Sequence, residues 1–170
     1  FEVDGNGVMV VGGSVPAIGQ QYGVSFMKLD DNLRSDISFG VDGVLNQFLP
    51  NGFYAGTVVL DEDGGVLALG GDFSIIRYLE DGTLDTTFGV NGRSAAPTLP
   101  ANFVFSATFE ATRQPDGMSV AMQPASWRNN YNHQFVAAVR YHADGSIDTG
   151  FATNGVALLE ATWQSYSCSS

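Results

Sequence analysis

Three times the chain repeats one phrase. Residues 30–44 read DDNLRSDISFGVDGV, residues 80–93 read EDGTLDTTFGVNGR, and residues 143–156 read ADGSIDTGFATNGV. Each copy holds an Asp-Gly-like turn, an Asp three places before a Phe, and a second Asp-Gly or Asn-Gly turn beyond it. In the first copy Asn32 reads as the substitute for the turn glycine, with one extra residue before Asp36. A phrase recurring at this period means a repeat architecture, in which each unit buries its apolar face against its neighbours.

Around the phrase the order of segments is constant. A Gly turn leads into a short apolar run (Gly7–Gly13, Gly65–Gly71, Gly117–Met122), and a second run follows (Val24–Leu29, Phe73–Tyr78, Phe135–Tyr141). After the phrase comes a third run, such as Val44–Leu49 or Gly155–Leu159, and a fourth, such as Phe53–Leu60 or Phe103–Phe109. The runs are rich in Val, Ile, Phe and Tyr and bounded by Gly, Asn and Asp, which is the strand and hairpin signature. Helical periodicity is not sustained anywhere, and Leu84–Phe88 is at most one helical turn. Four strands joined in order form a meander, and a meander repeated radially is a propeller blade. The expected fold is all-β and β-propeller-like, with about three four-stranded antiparallel blades at 1–52, 53–101 and 102–161 and a tail at 162–170. The whole of 1–170 reads as one repeat domain or a piece of a longer array.

Composition narrows the partners. The formal net charge is −11, and Lys28 is the only lysine beside six arginines. Nucleic acids and anionic lipid need clustered Lys and Arg, so neither is expected as a partner. No run of about 18 apolar residues occurs, so insertion into a membrane as a helix is not expected. A lone cysteine, Cys168, can form no intrachain disulfide.

Repeat spacing points to one irregularity. Phe39 to Phe88 is 49 residues, and Phe88 to Phe151 is 63. Most of the excess lies in Gln123–Gln134, QPASWRNNYNHQ, between the first two strands of the third copy. The segment breaks the repeat and concentrates Trp127, Arg128, Asn130, Tyr131 and His133. Flat aromatic faces with amide and guanidinium donors are typical of binding surfaces, so these five are the candidate ligand-binding residues. The alternatives are packing against another subunit, or a hairpin loop whose Trp127 folds back over the edge of the core.

The residues resemble the delta-60 repeat family of bacterial β-propeller-like repeats. Its phrase, approximately DG-(S/T)-L-D-x-x-F-G-x-x-G, is matched almost completely by Asp81–Gly92, and Gln114-Pro115-Asp116-Gly117 matches its second element. The third copy departs with Ala152 where Gly is usual. The resemblance implies a secreted or surface protein of a Gram-negative bacterium, with no general catalytic activity attached. Because propellers close with about 4–8 blades, three need help. Either neighbouring blades complete the ring, or copies associate, and a homo-oligomer (dimer or trimer), such as a fibre tip, is expected.

Positions shared by all copies are expected to be structural. Asp36, Asp85 and Asp148 should cap the turn before Phe39, Phe88 and Phe151 rather than ligate a cation. Lys28, Arg77 and Arg140 should pair with those aspartates or with a neighbouring blade, as surface pairs of small value. Asp61-Glu62-Asp63-Gly64 and Asp30-Asp31 lack the ligand spacing of a calcium loop and read as solvated turns. His133 and His142 lack partners at zinc spacing, so no metal or cofactor is expected. No nucleophile elbow, P-loop or dinucleotide fingerprint occurs, and none of Glu2, Glu62, Glu80, Glu110 and Glu160 sits in a recognisable acid/base context. The expected function is non-catalytic binding or adhesion, with a cell-surface glycan or protein as ligand. A purely structural stalk, tip or spacer is the alternative, and a two-carboxylate glycosidase is a weaker third.

Overall fold

The computed structural model describes residues 2–3, 9–15, 23–48, 55–105 and 110–161, and strands are the only regular elements among them. The first sheet is β1 (Glu2–Val3), β2 (Met9–Val15), β3 (Gly23–Leu29) and β4 (Val44–Phe48), in that order. The second is β5 (Ala55–Leu60), β6 (Val66–Gly70) and β7 (Ile75–Tyr78). In place of its fourth strand, Arg93 bridges Ile76, and the Ser94 N–H donates to the Ile75 carbonyl at 2.8 Å. The third sheet runs β12 (Val156–Ala161), β11 (Asn130–Tyr141), β10 (Ser119–Trp127). Two short strands, β8 (Phe103–Phe105) and β9 (Glu110–Arg113), pair with successive stretches of β10. All pairings are antiparallel, as in a blade meander.

The middle sheet shows why the sheets stack. Successive strand residues point to opposite faces, yet all five residues of β6 are buried. Val58, Val66, Ala68, Ile76 and Tyr78 share one core with Val24, Phe26 and Phe39 of the first repeat. Val59, Leu67, Leu69 and Ile75 share another with Ala121, Ala137, Val139 and Tyr141 of the third. A sheet covered on both faces needs apolar residues on both, which is why this repeat carries the unbroken run VLALG. By contrast β10 alternates, burying Ser119, Ala121, Gln123 and Ala125 and covering the residues between them less well.

Hairpin chemistry fixes the register. Asp42-Gly43, Asn91-Gly92 and Asn154-Gly155 all have positive φ at both positions (53° then 83–85°). Both central residues of a type I′ turn must be left-handed, which Asn-Gly and Asp-Gly supply at least strain.

Three details differ from the sequence reading. The phrase of the first copy has no extra residue: Asp36, Asp85 and Asp148 each follow their cation by eight residues, and Leu29–Ser35, Tyr78–Leu84 and Tyr141–Ile147 form equivalent bridges. Asn32 therefore stands at the Asp81 position, and Leu33, at φ 60°, holds the place of Gly82 and Gly145. Asp30 takes over the capping of this turn from two residues earlier, its Oδ1 accepting the N–H groups of Asn32 and Arg34 (2.9 and 2.8 Å). Leu84–Phe88 forms a hydrogen-bonded turn and not a helical one, since Leu84 is committed to Tyr78. Gln123–Gln134 is a strand extension and not a loop. Gln123, Ala125 and Ser126 pair with Ala137, Phe135 and Gln134, and only Arg128 and Asn129 make the turn.

Candidate functional site

The repeated phrase is the joint between sheets, built the same way each time. The Asp N–H donates to the carbonyl of the cation eight residues before it, at 2.9, 3.0 and 2.9 Å for Asp36, Asp85 and Asp148. One carboxylate oxygen accepts the N–H two residues on, from Ser38, Thr87 or Gly150 at 3.0–3.1 Å. The Asp carbonyl accepts the N–H of Phe39, Phe88 or Phe151 at 3.0–3.1 Å, which sets the ring. Phe39 and Phe88 are buried, and the next residue reaches across to the following repeat. The Gly40 N–H donates to the Asp81 carbonyl at 2.8 Å, and that of Gly89 to the Asp144 carbonyl at 2.7 Å. The receiving turn must carry glycine: a Cβ on Gly145 would stand 2.9 Å from the Phe88 ring.

Cations reinforce the joints differently in each copy. Lys28, only 4% exposed, lies 3.7 Å from Asp36 and donates to the Gly64 and Glu80 carbonyls of the second repeat at 3.3 and 3.4 Å. Arg77 gathers three carboxylates: Asp85 at 2.6 Å, Asp61 at 2.9 Å, and Asp63. Asp61 also meets Arg113 of the third repeat at 3.0 Å, so this cluster spans a joint. Arg140 binds Asp148 at 2.6 Å and stacks over Phe151, 4.7 Å from the ring centre. Two expectations need correction here. Asp61 is not in a solvated turn, being 7% exposed, and the Arg77 pairs are not isolated surface pairs. Packing of β5 against β9 brings Arg113 onto Asp61, and no spacing rule in the sequence connects the two.

These contacts set a pH response. The Thr87 hydroxyl, then its N–H and Arg77, hold Asp85 below the ordinary aspartate range against the opposing effect of burial. The Ser38 hydroxyl does the same for Asp36, Arg140 for Asp148, and the Thr83 and Ser146 hydroxyls for Asp81 and Asp144. A carboxylate with a depressed folded pKa contributes stability that is complete above its unfolded pKa and is lost as pH falls through the folded value. The melting temperature should therefore be flat down to about pH 5 and fall steeply below about pH 4. Melts followed by circular dichroism would check this, and an unchanged melting temperature at about pH 2.5 would refute it.

The extended β10–β11 hairpin is the candidate site. Trp127 ends β10, is 44% exposed, and stacks on Phe135 with ring centres 5.9 Å apart and planes at 21°. Phe135 meets Phe103 edge-on at 5.0 Å, and Phe105 meets Phe73 at 5.6 Å, so rings connect the tip to the core. The Arg128 N–H donates to the Asn102 carbonyl at 2.7 Å, which pins the turn while leaving the residue exposed. Below the tip lies a shallow depression lined by Val104, Phe105, Pro124, Ala125, Ser126 and Gln134. Asn130, Tyr131 and His133 lie on β11 beside the turn, and their side chains are outside the described residues. The structure thus places Trp127 and Arg128 together at one tip. It also fixes the indole on Phe135, a contact that alternate spacing from paired strands determines and the sequence did not reveal. His142 lies 3.9 Å from Asp148. Among the described residues no three His, Cys, Asp or Glu form a metal-sized group. Cys168 is outside the described residues.

Antiparallel sheets of similar sequence, joined face to face by one repeated clasp, make this a β-propeller-like repeat protein. The model of a family described as a domain of unknown function with a β-propeller fold (DUF5122) matches residues 65–88 and 126–151, and both segments end on the phrase phenylalanine, Phe88 or Phe151. No curated protein and no solved structure matches the chain.

Proposed function

We propose that this chain is a non-catalytic recognition module of a secreted or surface-anchored Gram-negative bacterial protein, built from repeats of the delta-60 type. Its ligand is a cell-surface glycan or protein, held at the β10–β11 tip. The observation that carries this reading is Trp127: a half-exposed indole, fixed on Phe135, next to the exposed Arg128 and Asn129. A pre-oriented aromatic face loses little freedom on binding a sugar ring or an apolar side chain, while guanidinium and amide groups supply directed hydrogen bonds. The acidic, lysine-poor surface supports an extracellular setting over a nucleic-acid partner. Retention of the protein on a panel of immobilised oligosaccharides and on whole bacterial cells tests it. Trp127→Ala and Arg128→Ala should each weaken retention by at least roughly tenfold with the fold intact. Retention equal to that of the unaltered protein would defeat this reading.

The second reading is an architectural module, a stalk, tip or spacer that joins further repeats. It is favoured by the uncovered apolar residues Val136 and Leu159 on the third sheet.

A further inference from the structure

Two joints between repeats are filled inside the chain, and a third is half built. At the second joint, Leu67, Leu69 and Ile75 of the middle sheet form the face that is buried against the third. Register carries these positions onward: Leu67 pairs with Arg77 as Val120 pairs with Arg140, and Leu69 pairs with Ile75 as Met122 pairs with Ala138. The equivalent face of the third sheet continues to Val136 and Leu159, which pair with each other and are 37% and 63% exposed. Beside it, Phe151 is only half-buried where Phe39 and Phe88 are buried. Ala152, at φ 49°, occupies the place from which Gly40 and Gly89 donate to the next repeat, and its N–H has no acceptor among the described residues.

The receiving half at the other end is altered. Gly82 and Gly145 accept the preceding repeat at a distance that excludes a side chain, since a Cβ on Gly82 would lie 2.9 Å from the Gly40 nitrogen. Leu33 holds that position in the first repeat and projects outward, 64% exposed. Its side chain fills the space through which an incoming Phe and its following N–H would have to approach.

We propose that the outer face of the third sheet, with Phe151 and Ala152, docks a further repeat that carries glycine in its first turn, and that Leu33 bars the first repeat of a second copy from this place. The occupant follows from the two joints already present, since both receiving turns there carry glycine and both are occupied. Leu33 thereby closes the receiving turn of the first repeat to such a joint, and the Phe151 face gives the stack a direction of growth. None of this depends on whether Trp127 holds a ligand.

Light scattering on a size-exclusion column, over rising concentration of the full chain, tests the proposal. The unaltered chain should remain monomeric. Leu33→Gly supplies an unfilled glycine turn at a position already left-handed, so it should at least double the mass at high concentration. Adding Phe151→Ala to that variant should restore the monomer. Leu33→Ala retains a Cβ and should stay monomeric, which separates the need for glycine from loss of bulk. A monomeric Leu33→Gly variant would overturn the proposal. So would association of Leu33→Ala to the same extent, or an unaltered chain whose self-association is removed by Phe151→Ala.

Discussion

Replacing Arg77 by methionine should lower the unfolding free energy by about 3 kcal/mol, because the buried Asp85 would lose its cation and Asp61 would keep only Arg113. Asp61 and Asp85 are buried, and their oxygens lie 2.9 and 2.6 Å from the guanidinium. Methionine keeps the aliphatic stem, so the loss reports charge and hydrogen bonds more than packing. For a chain of this size the melting temperature should fall by about 6–12 °C. Uncompensated carboxylates are penalised only as anions, so the deficit should be largest near neutral pH and narrow on acidification. Arg140→Met, which removes the partner of a single carboxylate, should cost clearly less. Denaturant titrations at two pH values would check this ordering, and an Arg77→Met loss that is small and independent of pH would show that the cluster contributes little.

Phe88→Ala should be the most damaging single truncation, at about 3–5 kcal/mol. The ring is 2% exposed, belongs to the core shared by the second and third repeats, and lies on the backbone of Gly145. Removing it leaves a void that neither sheet can close, because backbone hydrogen bonds fix both sides of the joint. Phe39→Ala, with an equally buried ring over Gly82, should behave alike. The half-buried Phe151 should cost only about 1–2 kcal/mol, since much less of its surface leaves water on folding. Equal losses at Phe88 and Phe151 would mean that the rings act within their own repeats and not across joints.

Much of this was legible along the chain. The thrice-repeated phrase, the Val- and Phe-rich runs and the Asn-Gly and Asp-Gly pairs follow from local rules of strands and type I′ turns. The cap formed by each phrase Asp is also local, since its acceptor and donors lie within about ten residues. The Arg77 cluster was not legible, because Asp61 and Arg113 come from different repeats, and nothing in their spacing brings them together. The same holds for the segment Gln123–Gln134. Its amides and Pro124 read as a loop, but β11 on one side and β8 on the other satisfy the backbone of β10, and the Phe135 ring covers Trp127.

By itself the sequence determined an all-β repeat of three similar units, with hairpin turns at fixed places and a cation and an aspartate at matching positions of each unit. These are features of local geometry, and local hydrogen bonding is enough to specify them. Only the tertiary structure decided which face of each sheet meets which neighbour, that the phrase phenylalanine packs against the next repeat's glycine, and that Leu33 occupies one such glycine position without being covered. Such contacts join residues about 40–60 positions apart. Their energy comes from burial and close approach between sheets, which appear only when the sheets are stacked.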